Sequence, residues 1–194
     1  SSTAMFTIDK SAPTITLSNG MKNNGITNSN VTVTASDEYL QTLTYTLNDG
    51  FEIAFRTGNV FSEEGKYVIT AMDKAGNKES VTFTIDKTAP EFSVNAYYKD
   101  GQTVSITIVE QYLRNVTLDG NEQGSTRSWD TKYLTEGTHT IKVTDKAGNS
   151  TTKSFIVDKT APIVTGYKKS GTTFVDSAKI NELIYFTTTD DTPI

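Results

Sequence analysis

Asp73-Lys74-Ala75-Gly76-Asn77, followed at once by an alternating run that ends Ile85-Asp86-Lys87-Thr88-Ala89-Pro90, is the stretch on which the organisation of this chain turns. Both motifs recur. The second stands 77 residues earlier as Ile8-Asp9-Lys10-Ser11-Ala12-Pro13 and 72 residues later as Val157-Asp158-Lys159-Thr160-Ala161-Pro162. The first returns as Asp145-Lys146-Ala147-Gly148-Asn149, and each copy lies 13 residues ahead of the next Asp-Lys pair. Two motifs that travel together at fixed spacing mark a duplicated domain-sized unit. A third correspondence sets Asp37-Glu38-Tyr39-Leu40 against Glu110-Gln111-Tyr112-Leu113, and Ile184 to Asp191 fits the same slot.

The units fall out of these repeats. Residues 1–10 read as the terminal strand of a preceding repeat, with residues 1–5 fitting a vector-derived scar. Residues 11–87 and 88–159 are two complete repeats, and 160–194 is the incomplete start of a further one, so the chain is expected to be a piece of a longer array. Three of the four prolines fall in the recurring motif. There the fixed φ and missing N–H end one strand and stiffen entry to the next unit.

Within each unit apolar and polar residues alternate in short runs broken by Gly, Asn and Asp, the pattern of strands buried on one face. Thr makes up 34 of 194 residues, a β-branched content that suits pleated strands. The predicted inward sets in the first unit are Ile15 and Leu17; Val31, Val33 and Ala35; Leu43, Tyr45 and Leu47; Phe51, Ile53 and Phe55; Tyr67, Ile69 and Ala71; and Val81, Phe83 and Ile85. In the second they are Phe92 and Val94; Val104, Ile106 and Ile108; Val116 and Leu118; Ile141 and Val143; and Phe155 and Val157. DKAGN reads as a hairpin loop, its Gly supplying positive φ and its Asp capping backbone N–H groups. Tyr67 opens the penultimate strand, and the sole histidine, His139, takes the matching place in unit two.

The combination EGxYxxxxxDKAGN, then a strand ending IDKTAP, resembles the bacterial immunoglobulin-like repeats found in tandem on secreted and wall-attached proteins, especially of Gram-positive bacteria. The likeness covers residues 6–162 and departs from the pattern at His139 and in the apolar-poor stretch Gly120 to Trp129. It implies an all-β chain of tandem immunoglobulin-like antiparallel β-sandwiches arranged end to end. It also implies an extracellular location, secreted or attached to the cell wall.

Composition removes most chemistry. Without Cys there is no disulfide and no thiol nucleophile, and one His leaves little room for zinc sites or His-based triads. A net charge of −5 without basic blocks offers no footprint for nucleic acid. No apolar run reaches the roughly 18 residues of a spanning helix, so membrane insertion is not expected. Glu63-Glu64 and Asp190-Asp191 are adjacent carboxylates on strand-like sequence, which places them on opposite faces with no cleft between them.

Two binding readings compete with a purely structural one. Calcium at the joints would draw on Asp37, Glu110 and Asp190, with Glu38, Asp191 and the joint residues Asp9, Asp86 and Asp158 nearby. Each joint Asp precedes a Lys and no DxDxDG loop exists, so solvated turn carboxylates without a bound metal or other cofactor are expected. A glycan-stacking surface would draw on Trp129, Tyr97 and Tyr98, Tyr133 being set aside as the core counterpart of Phe61. The expected function is a non-catalytic structural or adhesive stalk segment of a bacterial surface protein that spaces or presents a functional domain. Its partners would be neighbouring immunoglobulin-like repeats in the same chain and a host or cell-surface glycan or protein. The alternatives are a glycan-binding module and an accessory segment of a secreted glycosidase.

Overall fold

The computed structural model describes residues 8–168 and 184–189, with side-chain environments for 8–162. Asp190 and Asp191 lie outside the described residues, as do residues 1–7. Eight strands make the first unit: β1 (Thr14–Leu17), β2 (Gly25–Thr27), β3 (Val31–Ser36), β4 (Leu40–Leu47), β5 (Ile53–Ala54), β6 (Asn59–Phe61), β7 (Gly65–Asp73) and β8 (Lys78–Ile85). They form a five-stranded sheet in the order β2-β8-β7-β4-β5 facing a three-stranded sheet β1-β3-β6. All pairings are antiparallel except β2 with β8, which run parallel from Gly25↔Phe83 to Thr27↔Ile85.

The second unit repeats the plan with β9 (Glu91–Phe92), β10 (Tyr97–Lys99), β11 (Thr103–Ser105), β12 (Ile108–Val109), β13 (Leu113–Leu118), β14 (Asn121–Glu122), β15 (Ser128–Asp130), β16 (Gly137–Asp145) and β17 (Ser150–Asp158). Its large sheet runs β10-β17-β16-β13-β14, with β10 parallel to β17. The opposite sheet is broken in two. β12 pairs with β9 through Ile108↔Phe92 as β3 pairs with β1 through Ala35↔Ile15, while β11 pairs with β15 through Val104↔Trp129 as β3 pairs with β6 through Val31↔Phe61. β11 and β12 are thus β3 interrupted after Ser105. Finally, β18 (Ile163–Lys168) pairs antiparallel with β19 (Ile184–Thr189).

Each sandwich closes on its own core. Val33, Ile69, Ala71 and Phe83 are wholly buried in the first, and Val104, Val116, Ile141, Val143 and Val157 in the second. Burying each of the larger side chains is worth about 1.5–3 kcal/mol. The first core adds an aromatic stack, with Tyr67 lying on Phe83 at 4.9 Å between centroids and Phe61 edge-on to Tyr45 at 5.0 Å. The Tyr67 hydroxyl donates to the Glu63 carbonyl at 2.9 Å, tying the strand back to the preceding loop.

Three inward assignments fail. Phe51 is 94% exposed and Ile53 48% exposed, because the tight turn at Asn48 and Asp49, both in the left-handed region, delivers only a two-residue strand to the sheet edge. Tyr133 is 81% exposed. A single 3-10 turn, Thr131–Tyr133, started by the Asp130 side chain accepting from the Lys132 N–H, swings Tyr133 outward, and Leu134 packs on the core in its place. The ladder gives Phe61's place opposite Val31 to Trp129, opposite Val104. The two sandwiches are immunoglobulin-like and follow one another end to end.

Candidate functional site at the joints

The aspartate of the joint motif is engaged in the same way at all three joints. The Asp side chain accepts from the backbone N–H two residues on: Asp9 from Ser11 at 2.9 Å, Asp86 from Thr88 at 3.1 Å and Asp158 from Thr160 at 2.9 Å. Lys87 reaches back with its ammonium to the Ser62 carbonyl at 2.7 Å and Asn30 Oδ1 at 3.1 Å. The Lys87 N–H and the Thr88 hydroxyl both donate to Glu64, and in the next joint Thr160 donates to Glu136. Pro cannot donate, so these side chains supply the bonds that hold the turn.

DKAGN closes on the joint that precedes its own unit. Asp145 accepts from the N–H groups of Gly148 and Asn149 at 2.7 and 2.8 Å, folding the loop, while Gly148 takes φ 101°. This presents the Asn149 amide to Asp145 Oδ2 at 2.8 Å and, 63 residues away, to the carbonyls of Asp86 at 2.9 Å and Thr88 at 3.2 Å. Asn28 of the first unit donates to Asn149 Oδ1 at 3.1 Å, a direct bond between units. The upstream joint repeats the device, with Asn77 donating to Asp73 Oδ2 at 2.7 Å and to the Asp9 carbonyl at 3.2 Å. Lys74 and Lys146 donate their backbone N–H to the Tyr39 and Tyr112 carbonyls, which draws in the third loop.

The same folding gathers carboxylates. One oxygen from each of Asp9, Asp37 and Asp73 falls within a 4.8 Å group, and so does one from each of Asp86, Glu110 and Asp145. Asp73 and Asp145 are wholly buried. Burial alone would push the Asp73 carboxyl up, but the Asn77 amide and the N–H groups of Asn77, Gly76 and Ala75 outweigh it and hold it below the ordinary carboxylate range. Asp86 goes the other way: burial raises it and the charges of Asp145, Glu110 and Glu64 add to this, against the Thr88 N–H. Among the described residues no Lys or Arg forms an ion pair with any of the six. Carboxylate oxygens up to 4.8 Å apart can share a hard divalent cation bound at roughly 2.3–2.6 Å from each. Beside the second triad a cleft of about 620 Å³ separates the units, lined by Glu64, Lys66, Glu91, Glu110 and Tyr112 among others.

Of the residues singled out in the sequence, Asp37 and Glu110 therefore stand in equivalent triads, each half-buried and also accepting from a loop N–H (Tyr39 and Tyr112). Turn chemistry accounts for the DKAGN aspartates, as the sequence reading expects; the reach of the asparagines Asn77 and Asn149 to the joint is not in that reading. The signal was present in the constant spacing of the two motifs. The aromatic trio separates. Tyr98 is buried, its oxygen accepting from the Asn95 N–H, and Trp129 is half-buried with its indole N–H donating to Gln123 at 2.8 Å. Tyr97 alone of the three is exposed, so the trio presents no common stacking face.

Residues 83–159 match the model of a bacterial Ig-like domain. No curated protein matches the chain. Among solved structures, the chain is similar to murine CEACAM1b at 12% identity and a TM-score of 0.39, over 76% of this chain and all of that one. It is also similar to a tetra-tandem repeat in the extending region of a large adhesion protein (17% identity, TM-score 0.32, 91% of this chain and 62% of that chain). A third likeness is to SGBP-B of the Bacteroides ovatus mixed-linkage glucan utilization locus in complex with a mixed-linkage heptasaccharide (13% identity, TM-score 0.28, 95% of this chain and 62% of that chain).

Proposed function

We propose that this chain is a non-catalytic spacing and presenting segment of an extracellular bacterial surface protein, secreted or wall-attached. Its repeats, 11–87 and 88–159 flanked by 1–10 and 160–194, act as links of a stiffened stalk. The observation that carries this reading is the DKAGN asparagine, which bonds the backbone of the preceding joint in both units. A bare proline turn lets adjoining domains swing, whereas a hydrogen-bonded joint fixes one direction. Small-angle scattering of the protein beside an Asn77→Ala/Asn149→Ala double variant tests it. The expected result is a longer, narrower distance distribution for the unsubstituted chain. Equal flexibility in the two would remove the joint from the account.

A second reading concerns the carboxylate triads. They recur at equivalent places in both joints, each holds a wholly buried carboxylate, and among the described residues no Lys or Arg forms an ion pair with them. This supports calcium as a joint-stiffening ligand held by Asp9, Asp37 and Asp73 and by Asp86, Glu110 and Asp145. Calcium at 100 times its dissociation constant would add about 2.7 kcal/mol to stability. A melting temperature that climbs with calcium, falls with chelator and loses its response in Glu110→Gln supports the site. Melting curves identical in calcium and chelator overturn it. Glycan recognition by Trp129, Tyr97 and Tyr98 is the weaker alternative, since two of the three are committed inside the sandwich.

A further inference from the structure

The large sheet of the first unit ends on an apolar edge. β5 stands last in its order, β2-β8-β7-β4-β5, and meets β4 through Thr44↔Ala54 and Tyr45↔Ile53, with one further bond from the Phe55 N–H to the Leu43 carbonyl at 3.0 Å. Apolar residues alternate along this stretch and climb out of the core. Phe55 packs edge-on to Tyr45 at 5.8 Å and to Phe61 at 5.1 Å, Ile53 is half exposed and Phe51 almost fully exposed. A strand edge of this kind is a template for another strand, and soluble proteins ordinarily blunt it with polar residues. The second unit does so. Its counterpart edge, β14, presents Asn121 and Glu122, while Arg127 further on spends its guanidinium on the Gly124 and Thr126 carbonyls at 2.9 and 2.6 Å. The apolar edge therefore belongs to the first unit and not to the repeat plan.

The bonding pattern decides which groups face outward. Peptide groups alternate in direction along an antiparallel strand, so with Phe55 bonded toward β4, those of Glu52, Ala54 and Arg56 turn to the open side. The Arg56 carbonyl also accepts from the Asn59 N–H at 3.2 Å. The side chains of Glu52, Ala54 and Arg56 share the face opposite Ile53 and Phe55. On that face Glu52 accepts from the Thr44 hydroxyl at 2.5 Å, and among the described residues neither Glu52 nor Arg56 belongs to an ion pair. The two charges are opposite in sign and stand at equal distance on either side of Ala54. A second copy laid antiparallel about Ala54 therefore meets the first with its own complement. Ala54 faces Ala54 as a hydrogen-bonded pair, each Glu52 faces the partner's Arg56, and each Ile53 faces the partner's Phe55. Moving the centre to Ile53 or Phe55 keeps the phase of the bonds but sets Glu52 against Ala54 or Gly58, so charge selects one register.

We propose that two copies of this chain associate by adding β5 to β5, antiparallel about a two-fold axis at Ala54, so that the large sheets of the two first units become one continuous sheet. Backbone bonds supply the attachment, and the opposed charges and apolar pairs fix its register. So short an edge buries less surface than a permanent interface needs, which makes the association weak and dependent on concentration. It joins chains side by side, an arrangement that end-to-end spacing does not require.

Sedimentation velocity of the whole chain, from micromolar to near-millimolar concentration, compares the unsubstituted protein, Glu52→Arg, Arg56→Glu and an equimolar mixture of the two variants. Both positions are exposed, so neither reversal touches the core. The unsubstituted chain should dimerise. Each reversal alone sets like charges opposite one another and should weaken association about tenfold or more. The mixture should regain it, because each reversed charge then faces the reversed charge of the other copy. Ala54→Cys and Phe51→Cys give a second readout that needs no charge variant. Across the axis two residues 54 stand about 5.5 Å apart between Cα atoms, within reach of a disulfide, whereas two residues 51 stand about 20 Å apart. Air oxidation should link the first variant into dimers and leave the second unlinked. A chain that stays monomeric at the highest concentration, a dimer unmoved by both reversals, no recovery on mixing, or equal oxidation at the two positions overturns the proposal.

Discussion

Replacing Asn149 by Asp changes almost no volume, so it isolates the joint's hydrogen bonding from packing. The amide nitrogen now donates to Asp145 Oδ2 at 2.8 Å and to the Asp86 and Thr88 carbonyls at 2.9 and 3.2 Å. An oxygen in that place meets three acceptors, one of them a buried carboxylate. Two charges 2.8 Å apart at an effective dielectric near 20 repel by about 6 kcal/mol. The loss is capped below that, because the pair can take up a proton instead. Holding a carboxyl protonated at pH 7 against an ordinary value near 4 costs about three units, or ~4 kcal/mol. The second unit should therefore lose about 4 kcal/mol at pH 7 and only about 1.5 kcal/mol at pH 5, where one unit separates the two. Urea unfolding followed by Trp129 fluorescence, with chelator present so that no cation bridges the new carboxylate, measures both. A variant within about 1 kcal/mol of the original at pH 7, with no recovery at pH 5, refutes the geometry of the asparagine latch.

Gly65→Ala should cost about 1–2 kcal/mol, since φ is 145° there and an added Cβ would meet Leu47 Cδ1 at 2.5 Å; denaturation of the first unit reports it. Phe83→Ala, at a wholly buried ring, should remove about 3–5 kcal/mol from the first unit while leaving the Trp129 transition in place, because the two cores share no residue. The Asp73 carboxyl is held below its ordinary value, so its contribution is present above about pH 4 and lost as pH falls through the lowered value. Acid titration should thus weaken the first unit, and Asp73→Asn should blunt that weakening.

The joints were legible because their bonds are written in residues that recur. Asp9, Asp86 and Asp158 each cap a turn two residues on, which spacing within one motif reveals. The link from Asn149 to Asp86 spans 63 residues and has no local trace; only the locked distance between two repeated motifs hinted that they meet. Alternation located Val31, Val33, Ile69 and Ile141 inside, since a strand whose sheet faces a second sheet buries every second residue. It failed at Phe51 and Ile53, where the pattern continues past the point at which a facing sheet exists. It failed again at Tyr133, where one 3-10 turn shifts the inward position to Leu134. Turn geometry and sheet extent, which periodicity does not encode, decided those places.

The parallel pairings have a mechanical consequence. In each unit the last strand lies beside an early one running the same way, β8 with β2 and β17 with β10, and it is the last strand that leads into the following joint. Tension drawn along the chain pulls β2 from its N-terminal side and β8 from its C-terminal side, so the two are dragged past each other in shear. Their cross-links then share the load and resist together, instead of parting one after another as in a peeled hairpin. The strip of backbone that transmits the pull into the second unit, Asp86 to Thr88, is the strip gripped by Asn149, so load bears on a segment already held by side-chain hydrogen bonds.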